Sequence, residues 1–170
     1  MKTLWAPWRL EYILDDSTDR KTQCIFCPRI AGREDEKNLI VHRAEKTAVF
    51  LNRYPYSNGH LLVMPHRHTG DLDQLDSGEL LELMEVTRLC LRALKQVMQP
   101  HAFNVGLNLG KGEVAGAGVP DHLHLHIVPR WAGDTSFMPV LADVKVMPEH
   151  LAQTYAKLKA AFAELGRAPA

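Results

Sequence analysis

Three histidines, His122, His124 and His126, alternate with apolar residues in one short segment. An alternation with a period of two is typical of a β-strand and predicts three imidazoles on one open face. The opposite, core face is expected to carry Leu123, Leu125 and Ile127. A neutral imidazole can act as a nucleophile, a proton donor or a metal ligand. The spacing leaves three hypotheses open: covalent catalysis, a catalytic metal ion held by the three rings, and solvated histidines on an edge strand.

Two cysteines, Cys24 and Cys27, stand three positions apart near the beginning of the chain. This is the usual spacing of the first two ligands of a zinc site. No second pair of this kind is present, so any further ligands must be histidines, of which His68 is one candidate. Free thiols and a redox pair are the alternatives, although no βαβ pattern follows the cysteines as a redox motif would favour.

A glycine-rich segment lies directly before the histidines. Residues 110–120 contain four glycines and no aromatic residue. Glycines let backbone N–H groups approach a phosphate closely, so this turn is a candidate phosphate contact. It is not a Walker loop, because no Gly-Lys-Ser/Thr sequence is present.

The elements that must position these residues are short strands and two helices. Apolar, β-branched runs predict strands over 39–43, 47–51, 60–64, 103–109 and the histidine segment. Asp76 and Glu79 form a capping-box pattern at the beginning of a long helix that ends near Met98. The face of this helix that packs on the sheet is expected to carry Leu80, Leu83, Met84, Leu91, Leu94 and Met98.

A second helix is predicted over about 148–165, with Pro148 in its first turn and Gly166 as its C-cap. Residues 1–22 are predicted to form an N-terminal arm, whose Trp5 and Trp8 pack on the body of the protein or on a second subunit. No internal repeat or domain boundary is evident, so residues 1–170 are expected to form a single domain.

The composition is that of an ordinary globular protein, with 46% hydrophobic residues and a formal net charge of zero. Zero net charge gives no support for broad electrostatic capture of nucleic acid or of an anionic membrane. No apolar run is long enough to cross a bilayer, and the N-terminus lacks the apolar core of a signal peptide. Three cysteines do not form a disulfide framework, so we expect a cytoplasmic protein.

The histidine segment resembles the motif of the histidine triad (HIT) superfamily, in which three histidines alternate with apolar residues. The aromatic arm and the Gly-Asp-Thr-Ser-Phe-Met-Pro-Val segment resemble the bacterial branch that includes diadenosine tetraphosphate phosphorylases. The resemblance implies an α+β, HIT-like fold with a five-stranded antiparallel sheet, two main helices and pairing of two chains in a dimer.

The resemblance also implies a reaction, the cleavage of a nucleotide at its α-phosphate through a covalent nucleotidyl-histidine. By matching positions, His124 is the nucleophile and His126 lies near the leaving oxygen. Backbone carbonyls of the strand can hold His124 in the tautomer that presents its attacking nitrogen. The matching substrate-binding positions are Asn52 at the ribose, Asn108 beside the phosphates, His60 near the triad, and Gly118 and Val119 in the phosphate turn.

Zinc-bearing relatives imply a metal set of Cys24, Cys27, His68 and His122. Two thiolates and two imidazoles make a closed, tetrahedral site, which is the pattern of a structural zinc. The metal would fix His122 and thereby the backbone that orients His124.

The leading hypothesis is therefore an enzyme that cleaves dinucleoside polyphosphates, diadenosine tetraphosphate in particular, by phosphorolysis or hydrolysis. The alternatives are a nucleoside phosphoramidate hydrolase of the same superfamily and a zinc-containing nucleotide-binding module without turnover. The expected partners are the nucleotide substrate and a second copy of the chain, with no nucleic acid and no membrane.

Overall fold

The computed structural model describes residues 24–110, 119, 121–134 and 147–166. The predicted N-terminal arm and Gly118 lie outside the described residues. So does most of the segment with the sequence Gly-Asp-Thr-Ser-Phe-Met-Pro-Val.

Five strands form one antiparallel sheet in the order β1-β2-β3-β5-β4. The strands are β1 (Ile40–Arg43), β2 (Thr47–Leu51), β3 (Leu61–Pro65), β4 (Ala102–Leu107) and β5 (Leu125–Arg130). The helices of the described residues are α1 (Cys27–Ala31), α2 (Asp35–Asn38), α3 (Ser77–Met98) and α4 (Leu151–Leu165), with a short 3-10 turn at Leu72–Gln74. The predicted α+β class with five antiparallel strands and two main helices is confirmed.

Helices α3 and α4 cover one face of the sheet and form the larger core with it. Buried side chains of this core include Val49, Leu61, Leu94, Ile127 and Leu158. The other face carries a smaller cluster of Phe26, Ile40, Ala48, Phe50, Leu62 and Met64. Strands β2 and β3 are buried along their whole length, because side chains cover them on both faces.

Helix α3 begins as its sequence predicts. The Asp76 carboxylate accepts the Glu79 N–H, and the Glu79 carboxylate accepts the Asp76 N–H, which completes the capping box. Met84 contradicts the predicted core face, since it is 57% exposed while its neighbour Leu83 is buried. Met84 lies about 100° from Leu83 around the helix, outside the arc that carries the buried Val86, Cys90 and Leu94.

The other differences concern where elements begin. Helix α4 begins at Leu151 rather than at Pro148, because His150 is its N-cap. Strand β5 begins only at Leu125, because the Leu123 N–H bonds to the Thr69 carbonyl instead of a neighbouring strand. Of the three histidines, only His126 therefore lies in a regular strand.

Gly59 ends the loop that joins β2 to β3. Its φ is +74°, and a Cβ at this position would lie 2.5 Å from the sulfur of Met98. Only glycine fits both the left-handed backbone and this close approach to α3. The loop from Asn52 to His60 is thus held against the end of the long helix.

No helix among the described residues is both long enough and apolar enough to cross a membrane.

Candidate active site and metal centre

His124 is held by the backbone of the residue two positions before it. Its Nδ1 lies 2.8 Å from the carbonyl oxygen of His122. Because a carbonyl only accepts, Nδ1 carries the proton and Nε2 keeps its lone pair. Burial lowers the pKa of His124 below its ordinary value of 6.5, against the opposing effect of the His122 carbonyl. His124 is thus a neutral imidazole with an available Nε2 lone pair at neutral pH.

Phe26 packs directly against this histidine. Its ring centroid lies 5.5 Å from that of His124 and 5.6 Å from that of His122. Phe26 and Phe50 meet edge to face and are both buried. The histidines predicted on an open face are therefore largely covered: His122 is fully buried and His124 is 8% exposed. Aromatic packing from a distant part of the chain covers them, which the alternation alone did not indicate.

His126 is oriented by His60, which is fully buried. The Tyr56 N–H donates to Nδ1 of His60 at 3.1 Å, and the Asn52 side-chain amide lies 3.2 Å from the same nitrogen. His60 therefore carries its proton on Nε2, which lies 3.0 Å from Nδ1 of His126. His126 accepts at Nδ1 and holds its own proton on Nε2.

The Nε2 of His126 faces the side-chain amide of Asn108 at 3.4 Å, and a proton on this nitrogen requires the amide oxygen of Asn108, rather than its NH2 group, as the partner. Burial, followed by the charge of His124, lowers the pKa of His126 to about 4. The ring is therefore neutral at pH 7 and presents one N–H beside His124, with the two ring centroids 4.9 Å apart. A nucleophilic nitrogen and an N–H donor thus stand side by side.

Two predicted substrate contacts, Asn52 and Val119, lie beside His60 and beside the apolar cluster of Phe26, respectively. The Asn52 oxygen accepts the Tyr54 N–H at 3.0 Å, which fixes its amide with the nitrogen toward His60. Val119 packs against the apolar cluster that contains Phe26. The structure thus brings together Asn52, His60, Asn108, His124 and His126.

The four predicted metal ligands form one group. Their ligand atoms all lie within 4.8 Å of one another, and the residues are Cys24, Cys27, His68 and His122. The Nδ1 atom of His122 lies 3.2 Å from the Cys24 sulfur and 3.6 Å from the Cys27 sulfur. The Cys27 sulfur in turn lies 3.4 Å from Nδ1 of His68. Sulfur and nitrogen ligands of a tetrahedral zinc stand about 3.6 Å apart, so the spacing fits such an ion.

The tautomer of His122 also suits a metal. Its Nε2–H donates to the Pro65 carbonyl at 2.9 Å, which leaves the Nδ1 lone pair directed at the cysteines. A ligating histidine usually has its second nitrogen bound in this way. Burial and the neighbouring Cys24 raise the pKa of the Cys27 thiol to about 11, and a divalent cation would reverse this effect. Neither His124 nor His126 belongs to this group of ligands within the described residues.

Sequence reasoning missed three residues of this region. Phe26 stands between the two cysteines, but nothing in its type indicates contact with His124. Tyr56 stacks on the ring of His126, at a centroid distance of 5.9 Å and an interplanar angle of 15°. Arg43 donates to Asp35 and to the backbone carbonyls of Arg29 and Gly32 at the end of α1. The sequence does not indicate the roles of these three residues, because the roles depend on contacts that form only in the folded chain.

Known proteins share both the sequence and the fold. The family model of the HIT domain matches residues 33–133. The chain is 39% identical to a Mycobacterium tuberculosis protein named AP-4-A phosphorylase, over 91% of this chain and 80% of that protein. It is 35% identical to the asymmetrical bis(5'-nucleosyl)-tetraphosphatase of Schizosaccharomyces pombe, over 57% of this chain and 52% of that protein.

A crystal structure of a Zn-bound histidine triad family protein from Mycobacterium smegmatis superposes with a TM-score of 0.69 at 29% identity. The superposition covers 86% of this chain and 98% of that one. The family match extends over more than half of the chain and includes the whole histidine segment. The chain therefore belongs to the HIT family.

Proposed function

We propose that the protein cleaves dinucleoside polyphosphates, with diadenosine tetraphosphate as the preferred type, at the α-phosphate through a nucleotidyl-His124 intermediate. The observation that carries the proposal is the pair of fixed tautomers: an unprotonated Nε2 on His124 beside a protonated Nε2 on His126. The similarity to proteins named AP-4-A phosphorylase and tetraphosphatase supports the substrate class.

In the first step, the Nε2 lone pair of His124 forms a bond to the α-phosphorus. The bond from that phosphorus to the bridging oxygen breaks, and its electron pair remains on the departing ATP. His126 donates a hydrogen bond from Nε2 to this oxygen, while the His122 carbonyl stabilises the Nδ1–H of the nucleotidylated ring. In the second step, phosphate or water attacks the same phosphorus and the P–N electron pair returns to His124.

The remaining site residues receive proposed roles. Asn52 binds the ribose and Asn108 lies along the phosphate path beside His126. The backbone N–H groups of Gly118 and Val119 contact the α-phosphate, a contact that Pro120 cannot make because it lacks an N–H. His60 fixes the tautomer of His126 rather than contacting substrate.

We further propose a structural zinc ion on Cys24, Cys27, His68 and His122, supported by the spacing of their ligand atoms. When bound, the ion supplies a rigid cross-link between the cysteine segment and His122, with no open position for substrate. The residues that hold it are distinct from those that react.

A homodimer is also proposed, because β4 forms an edge of the sheet and no described strand covers its outer side. Val105 is 44% exposed on this edge, and Leu81 and Met84 are exposed on α3. An exposed apolar edge strand favours pairing with another chain. Val105→Lys is expected to give a monomer by light scattering; an unchanged molecular mass would place the dimer interface elsewhere.

Free cysteines are consistent with a cytoplasmic location.

Product analysis with diadenosine tetraphosphate tests the function. ADP and ATP formed only with inorganic phosphate indicate phosphorolysis, whereas AMP and ATP formed without phosphate indicate hydrolysis. His124→Ala is expected to lower turnover by a factor on the order of 10⁴ or more. His150→Ala, at an exposed histidine on the N-cap of α4, is the matched control. Near-native activity of His124→Ala would refute the assignment of the nucleophile, and no products from the wild type would refute the substrate class.

A further inference from the structure

The two sides of the histidine pair differ in how they meet solvent. On the His124 side, the ring of Phe26 packs on that of His124 and is only 6% exposed. On the His126 side, Tyr56 is 58% exposed although its ring stacks on His126. A substrate cleaved between these histidines leaves its transferred half on His124 and releases its other half past His126.

The described residues leave the sheet open beside His126. Gly106 is the cross-strand partner of His126, and a Cβ built at Gly106 would meet none of the described residues within 4 Å. Tyr56, whose ring stacks on His126, is one of the five large apolar side chains exposed in the described part of the chain. Apolar surface of this kind, next to a reactive group, is typical of a binding site.

Tyr56 is held against the site through both its backbone and its ring. The backbone N–H of Tyr56 donates to Nδ1 of His60 at 3.1 Å, so this loop residue belongs to the hydrogen-bond network of the site. Its ring centroid lies 4.8 Å from that of His60 and 5.9 Å from that of His126. An exposed ring that is already ordered offers a stacking surface at little entropic cost.

We propose that Tyr56 is the stacking platform for the base of the departing nucleotide. The inference rests on the proposed function and extends it, because it assigns a binding site to the second half of the substrate. Bond making at His124 and bond breaking beside His126 do not involve the Tyr56 ring. Tyr56 therefore determines which leaving groups are preferred, and the preferred ones carry an aromatic base.

Two substrates distinguish stacking of Tyr56 on the departing base from a general support of the site by Tyr56. Diadenosine tetraphosphate and adenosine 5'-tetraphosphate present the same adenosine and α-phosphate, but only the first has a second base. Stacking on an aromatic side chain contributes about tenfold to affinity per base. Tyr56→Leu is therefore expected to lower the ratio of kcat/KM for the two substrates about tenfold. Tyr56→Phe, which keeps the ring, is expected to restore the ratio.

The outcomes are distinguishable. An equal loss on both substrates would overturn the proposal, because Tyr56 would then only support His60 and His126. An unchanged ratio in Tyr56→Leu with full activity would overturn it as well, while leaving the dinucleotide activity established. A wild-type protein that cleaves neither substrate would refute the proposed function and this inference with it.

Discussion

The main-chain carbonyl of His122 accepts the Nδ1–H of His124 at 2.8 Å, while the ring of His122 faces the two cysteines. One residue is thus both a candidate metal ligand and the group that sets the tautomer of the proposed nucleophile. The Pro65 carbonyl holds the ring of His122 from its other nitrogen. Because a metal on Nδ1 would restrain the same residue whose carbonyl orients His124, the proposed metal centre and the proposed catalytic centre share His122.

This link predicts that losing a distant metal ligand slows the reaction. Cys24→Ser removes one ligand without touching His124, and we expect it to reduce the zinc content and to lower kcat about 10- to 100-fold. Zinc content and single-turnover rates measure the two effects on the same preparation. Cys90→Ala is the matched control, since Cys90 is a buried thiol outside the group. A zinc-free Cys24→Ser enzyme with wild-type kcat would contradict the link.

His60 is predicted to act on the leaving group through His126. His60→Ala removes the N–H that fixes the tautomer of His126, so the hydrogen bond to the departing oxygen is lost or misdirected. We expect a loss of about 10²-fold in the release of ATP from diadenosine tetraphosphate. His60→Gln keeps an N–H donor at a similar position and is expected to recover part of this loss.

The leaving group gives the control for His60. The p-nitrophenyl ester of AMP releases p-nitrophenolate, a stable anion that departs with little need for a hydrogen-bond donor. His60→Ala is therefore expected to slow the cleavage of this ester less than that of diadenosine tetraphosphate. Equal losses with both substrates would show that His60 supports the fold of the site rather than the leaving group.

Local patterns in the sequence predict most of the fold. The capping box at Asp76 and Glu79 depends only on residues three positions apart, and it forms as expected. The predicted strands agree with the observed ones to within about two residues, apart from the histidine segment, because their alternation and turn residues act locally. That segment differs because the Thr69 carbonyl, from a distant loop, draws the Leu123 N–H away from the sheet.

The site divides in the same way between local and long-range causes. The residue types that can react or bind a metal are visible in the sequence, because histidines and cysteines have few purely structural uses at such spacing. The covering of His124 by Phe26 is not visible, since 98 residues separate the two in the chain. Nor is the Pro65 carbonyl, because every residue has one and only the folded chain selects this one for His122.

The lowered pKa of His124 predicts an enzyme that stays active just below pH 6.5. Burial lowers the pKa of His124 below 6.5, so its nucleophilic form persists below that pH and is lost only on further acidification. The release of ATP in the first turnover, without phosphate, is expected to fall with a midpoint below pH 6.5. The internal phosphates of diadenosine tetraphosphate do not titrate in this range, so the midpoint belongs to the enzyme. A midpoint at or above pH 6.5 would contradict a buried, neutral nucleophile, provided that circular dichroism shows the fold intact.

Arg43 is predicted to preorganise the metal site. Helix α1, which carries Cys27, has no buried residue and packs on the smaller apolar cluster only through the partly buried Ile30. Arg43 adds hydrogen bonds to backbone carbonyls at the end of the helix, and its Nε–H donates to Asp35 at 2.9 Å. Lys159 from α4 reaches the same Asp35 carboxylate at 3.2 Å and so ties the network to the main body.

Arg43→Met is therefore expected to weaken zinc binding about 10- to 100-fold, as measured by competition with a chromogenic chelator. Arg43→Lys keeps the charge but loses the planar fork that reaches several carbonyls, so we expect an intermediate affinity. Arg92→Met, at an exposed arginine of α3, is the control. Preorganisation requires that the loss appear in metal binding. If Arg43→Met lowered the thermal stability of the metal-free and zinc-bound proteins equally, with an unchanged affinity for zinc, Arg43 would support only the fold.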